Sequence, residues 1–139
     1  MLTYGVISPH PPIILPEIGK DQLKFVRKTI ESLEKAAKNL TKAKPDELII
    51  ISPHTEHGFY VPLYYLGKHL PRDIKITQIL VTNPSYKFYY EEGKKVGKDT
   101  KNSQARLAII ASGDLSHCLK EDGPYGFNPA GPKLDKIIV

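Results

Sequence analysis

The runs Leu48-Ile49-Ile50-Ile51 and Leu107-Ala108-Ile109-Ile110-Ala111 are apolar at every position rather than at every second one. A strand with one wet face alternates, whereas a strand covered on both faces does not. The two runs extend to Glu47–Ile51 and Arg106–Ala111, and two more apolar runs occupy Thr3–Ile7 and Ile74–Val81. Between the first two, Leu23, Val26, Ile30, Leu33, Ala37 and Leu40 recur at three- and four-residue spacing among lysines and glutamates. That is the pattern of an amphipathic helix. Asp21 reads as its N-cap, and Pro45 sets its far limit. A second helix is predicted within Val61–Leu70, with Pro62 in its first turn. A third is predicted over Tyr86–Lys98, weakened by Gly93 and Gly97, and Pro132–Val139 begins a fourth. Alternating strands and helices predict an α/β fold, a mainly parallel sheet flanked by helices, in one domain over residues 1–139.

The strands end alike. Gly5-Val6-Ile7-Ser8-Pro9-His10 closes the first and Ile49-Ile50-Ile51-Ser52-Pro53-His54 the second, while Ser112-Gly113-Asp114-Leu115-Ser116-His117 follows the fourth. In an open parallel sheet, ligands bind beyond the carboxyl ends of the strands. Proline fixes φ before His10 and before His54, so both imidazoles leave rigid corners, as a metal ligand must. His117, after a Gly-Asp turn, suits proton transfer near neutral pH. His57, three residues past His54, reaches the same pocket as a third ligand or as a donor to substrate. His69 has no such context and reads as a surface residue at a helix end. Cys118 reads as an inert buried thiol rather than a soft ligand.

Bulk properties narrow the classes. The 139 residues hold 20 Lys and Arg against 15 Asp and Glu, a net charge of +5. The lysines gather in Lys20–Lys44 and Lys94–Lys101, on predicted helix faces, without the aromatic interleaving of a nucleic-acid module. No nucleic-acid partner is expected. No apolar run approaches the length needed to span a bilayer, and the N-terminus lacks the features of a signal peptide. A single cysteine fits a reducing, cytoplasmic setting.

Taken in order, Ser8-Pro9-His10-Pro11-Pro12, Ile51-Ser52-Pro53-His54, His57-Gly58 with Val61-Pro62-Leu63, and Ala111-Ser112-Gly113-Asp114-Leu115-Ser116-His117 resemble the class III extradiol ring-cleaving dioxygenases, the LigB-like superfamily. The segment Lys120–Phe127 is similar to archaeal and bacterial members, some of them joined to an AMMECR-type domain. The resemblance implies that His10 and His54 bind non-haem Fe(II); zinc is the other metal such a histidine set could take. It implies that His117 is the acid–base catalyst and that His57 contacts substrate or oxygen. The reaction implied is insertion of both atoms of O₂ into a catechol-type ring, with a homodimer as the family-level expectation.

Two departures stand beside the resemblance. In the family, tens of residues separate the histidine of the second strand from the His-Gly pair; here only Thr55 and Glu56 intervene, with Glu56 in place of the usual aspartate. The family's third ligand, a glutamate in a C-terminal helical segment, has no counterpart among these residues, and Asp114 or Glu17 are substitutes by position only. The chain thus reads as a family member short of a loop near 55–56 and of a C-terminal segment. Two other functions compete: a non-catalytic metal- or small-molecule-binding regulatory module of Memo-like kind, and a zinc hydrolase using His10, His54 and His57.

Overall fold

The computed structural model describes residues 1–139. The four apolar runs become β1 (Leu2–Ser8), β2 (Glu47–Ser52), β3 (Lys75–Leu80) and β4 (Leu107–Ser112), each within one residue of its predicted bounds. All are parallel, in the order β1-β4-β2-β3, so the last strand in the chain lies inside the sheet. Register aligns their ends: Ser8 faces Ser112, Ile51 faces Ala111, and Ser52 faces Leu80.

After β1 the chain makes a 3₁₀ turn (Pro12–Ile14), a single helical turn α1 (Pro16–Gly19) and a second 3₁₀ stretch (Lys20–Phe25) before α2 (Arg27–Lys42). The amphipathic pattern is thus split: Leu23 lies in the 3₁₀ stretch, and Leu33, Ala37 and Leu40 form the buried stripe of α2. Asp21 does not cap this helix. Val26 occupies the N-cap with no side-chain bond, because the 3₁₀ stretch places Asp21 a full turn too early. Helix α3 (His57–Leu66) starts four residues before the predicted Val61. Pro62 therefore sits in its interior, not in its first turn. Helices α4 (Tyr86–Asn102) and α5 (Ala130–Ile138) follow their predictions, α4 running on past Lys98 and α5 taking Pro132 in its first turn.

Helices α2 and α3 cover one face of the sheet. Leu33, Ala37 and Leu40 from α2 and Val61, Tyr65 and Leu66 from α3 close over Leu48, Ile50, Ala108 and Ile110, all in one buried cluster. Tyr65 ties this layer to the corner beyond His10, its hydroxyl donating to the Ile14 carbonyl. Burial holds its phenol above the ordinary tyrosine range.

The other face departs from the expected double cover. Ile49, Ile51 and Ile109 are only half-buried, and they line a cleft of about 1070 Å³ that separates them from α4. Gly93 and Gly97 of α4 line the same cleft, and a Cβ added at either would meet nothing within 4 Å. The helix thus offers no side chain at these two positions of the cleft wall. Continuous apolar runs signal a face without water, but the depth of cover depends on what the opposing helix supplies.

At the amino ends, Asp46 joins β2 to β4. Its carboxylate accepts from the Arg106 backbone N–H at 2.8 Å and from the guanidinium Nε and Nη2 at 3.1 and 2.6 Å. The Arg106 side-chain bonds, then its backbone bond, hold the Asp46 carboxyl at about 2, below its ordinary 3.8.

Two outcomes follow from these contacts. Gly97→Ala should raise stability to urea by about 0.5–1 kcal/mol, since alanine gains helix propensity and meets no obstacle; a loss of stability would refute the open cleft. Because the folded pKa of Asp46 is depressed, its contribution is complete above pH 3.8 and is lost as pH falls through about 2. The stability difference between wild type and Asp46→Asn should therefore narrow across that window, and a difference that is flat with pH would count against the Arg106 contact.

Candidate metal centre

Three of the four strands deliver a histidine to one edge. His10 follows β1 after the Pro9 corner and is 3% exposed. His54 follows β2 after Pro53 and is exposed, and His57 is the first residue of α3. The ring centroids of His10 and His54 lie 5.2 Å apart, those of His10 and His57 5.4 Å, and those of His54 and His57 5.1 Å. One ring nitrogen from each of the three falls within 4.8 Å of the others. Neutral imidazoles at this spacing are a donor set that a borderline divalent ion such as Fe(II) or Zn²⁺ accepts.

A tight turn makes this possible. The chain passes from His54 to α3 in two residues, through Glu56 at φ 46°, a left-handed conformation that a side chain rarely adopts. Gly58 then packs against the end of β2. A Cβ there would lie 2.1 Å from Ser52 Oγ and 3.1 Å from the His54 Cβ. The glycine of the His-Gly pair is thus required by close approach, which brings His57 over the β2 corner. Ser52 Oγ in turn accepts from the His54 backbone N–H at 3.1 Å.

His10 is held from behind and from one side. Its Nδ1 lies 2.9 Å from Ser112 Oγ, and its Nε2 lies 3.5 Å from Asp114 Oδ2. Its backbone N–H donates to Asp114 Oδ1 at 3.3 Å. Burial lowers its pKa below the ordinary histidine value, with Asp114 acting in the opposite sense and the neighbouring histidines adding to the fall. A buried imidazole kept neutral is the form that binds a metal.

His117 stands apart from the three. Its Nε2 lies 3.5 Å from the same Asp114 Oδ2, so one carboxylate links it to His10. Its ring is largely exposed and stacks on Tyr125 at 5.3 Å. The loop that bears it is fastened to α5: the Ser116 N–H donates to Asp135 Oδ1 at 2.8 Å, and Gly131 packs directly against Ser116 and the Cys118 carbonyl. Cys118 is half-buried, its Sγ faces the Tyr125 carbonyl, and it is not one of the three clustered donors. His69 is exposed in the turn after α3, and Glu17 is exposed in α1. By sequence Asp114 is only a stand-in ligand; its place three residues before His117 is the signal for its bridging position.

The family described as the catalytic LigB subunit of aromatic ring-opening dioxygenase matches residues 55–139, more than half of the chain. The chain belongs to this family. The LigB match carries His57 and His117, while His10 and His54 precede it. Among curated proteins, Protein CA_C1420 of Clostridium acetobutylicum is 28% identical over 202 aligned residues, which cover 96% of this chain and 43% of that protein. The chain therefore spans less than half the length of that relative. The alignment is longer than the chain's 139 residues, so the relative carries residues opposite which this LigB chain has none. No helix is long and apolar enough to cross a membrane.

Gly58→Ala tests the close approach on which the site is built. It should cost about 1–3 kcal/mol in urea unfolding by overpacking the β2 corner. A variant as stable as wild type would show that Ser52 and α3 are not in contact there.

Proposed function

We propose that this LigB chain is the catalytic part of a non-haem Fe(II)-dependent extradiol dioxygenase acting on a catechol-type ring with O₂. The observation that carries the reading is the meeting of His10, His54 and His57 at the carboxyl edge of the sheet, beside a carboxylate-linked His117, in a chain of this family. His10 and His54 are the metal ligands in this reading, both set on proline corners. A bound Fe(II) would supply open positions at which a catecholate and dioxygen can meet.

The residues have separate tasks. His10 is buried and fixed, so it anchors the centre, while the exposed His54 leaves the outer side open to substrate. His57 faces the substrate and donates to its oxygen. His117 takes the proton of a catechol hydroxyl at Nε2 and returns it after ring opening. Asp114 Oδ2, 3.5 Å from that nitrogen, offers the protonated ring a counter-charge. Tyr125, stacked on the His117 ring, limits its rotation.

The near-equal ring spacings favour one second reading. If His57 is a third ligand, the centre has the three-histidine donor set of a zinc hydrolase. The variants separate the two readings. His10→Ala and His54→Ala should each abolish Fe(II) binding under anaerobic titration, and full retention in both would end the ligand assignment. His57→Ala should keep the metal and raise the KM for a catechol; loss of metal would favour the three-histidine centre. His117→Ala should keep the metal while O₂ uptake with catechols falls by about 10²–10⁴-fold, the usual contribution of a general acid–base residue. Metal binding without O₂ uptake by wild type across a catechol panel would instead support a non-catalytic binding module.

A further inference from the structure

We propose that Ser112 is a positioning residue of the metal centre, one that fixes His10 as its Nδ1–H tautomer and so presents an unprotonated Nε2 to the metal. The proposal rests on the metal-site reading above and concerns a residue to which that reading gives no task.

The argument starts at Pro62. In an α-helix the carbonyl of Gly58 receives the N–H of residue 62, but proline has none and its ring crowds that carbonyl. Gly58 is buried, so water does not replace the missing donor. Ser112 does: its Oγ, at the end of β4, lies 2.5 Å from the Gly58 oxygen. A carbonyl only accepts, and a serine hydroxyl has one proton. That proton is therefore committed to Gly58. Toward His10 Nδ1, 2.9 Å away, Ser112 Oγ can then act only as acceptor, and Nδ1 must carry the hydrogen.

The competing arrangement puts the hydrogen on Nε2, donated to Asp114 Oδ2, with Ser112 turned to donate to Nδ1. It would exchange the 2.5 Å contact for one of 3.5 Å and leave a buried carbonyl without a donor, which is costly in a site closed to water. The shorter contact prevails. With Nδ1 protonated, the Nε2 lone pair faces the Asp114 carboxylate, an opposition that a cation at Nε2 relieves. The hydrogen bond made by one ring nitrogen sets the state of the other. Here the chain of control runs from a proline in α3, through a helix carbonyl and a β4 hydroxyl, to a histidine beyond β1.

The decisive measurement needs no variant. In metal-free wild type labelled with ¹⁵N-histidine, at a pH where the rings are neutral, His10 should show a protonated Nδ1 and a bare Nε2; a protonated Nε2 overturns the proposal. In Co(II) titrations, Ser112→Ala should bind about 10–100-fold more weakly than wild type, the usual effect of removing a ligand's hydrogen-bond partner. Unchanged affinity in a folded Ser112→Ala, with binding abolished in His10→Ala, would overturn the tautomer proposal alone. Wild-type affinity in His10→Ala would overturn the metal reading itself.

Discussion

Strand β4 hydrogen-bonds to β1 on one side and to β2 on the other, and through that double pairing it sets the level of every strand end. Ser8 comes opposite Ser112, and Ile51 opposite Ala111, so the corners after β1 and β2 and the turn after β4 open onto one edge. No histidine of the site is near its partners by local structure alone, except His54 and His57. The cluster depends on backbone ladders, which tolerate no slip, because a shift of one residue would exchange the faces of a strand. It would move Leu48, Ile50, Ala108 and Ile110 out of the core.

Beneath the histidines lies a small polar floor made by the same register. Ser8, Ser52 and Ser112 are all buried at the strand ends, where an apolar residue would have filled the space more favourably. Ser52 accepts from the His54 backbone, Ser112 joins Gly58 to His10, and no buried side-chain nitrogen or oxygen lacks a partner. Hydroxyls here exchange hydrophobic burial for orientation, a trade made where a rigid site is required. Glu56, with its left-handed backbone, belongs to the same account: strain in one residue permits two histidines to be separated by a single short turn.

Much of this was legible in the residues. The strands, their parallel order of chain travel, and the three histidines at one edge follow from apolar runs and the repeated Ser-Pro-His corners. What was not legible depended on tertiary placement. Asp21 looks like a cap in the sequence, but the intervening 3₁₀ stretch shifts the helix start past it. Pro62 looks like a first-turn proline, yet the turn at Glu56 starts α3 earlier, and Ser112 meets the carbonyl that proline leaves. Ile49 and Ile109 read as fully covered, but the cleft over them is walled in part by Gly93 and Gly97 of α4, distant in sequence from Ile49, which supply no side chain to fill it. Asp114 needed the pairing of β1 with β4 to bring His10 beside it.

The place of β4 also governs when the site comes into being. β2 and β3 pair across a short stretch of chain, whereas Leu2 waits for Leu107. Closing so long a loop is entropically costly, and folds built on distant pairings form slowly. Until β4 slides between its neighbours, His10 has no Ser112 behind it and no Asp114 beside it, and the corner after β1 is held only by its prolines. A nascent chain thus exposes the separate histidines early but cannot gather them until its final third has been made. For the centre proposed here, an ion arriving before β4 is in place would meet a His10 without its Ser112 and Asp114 contacts.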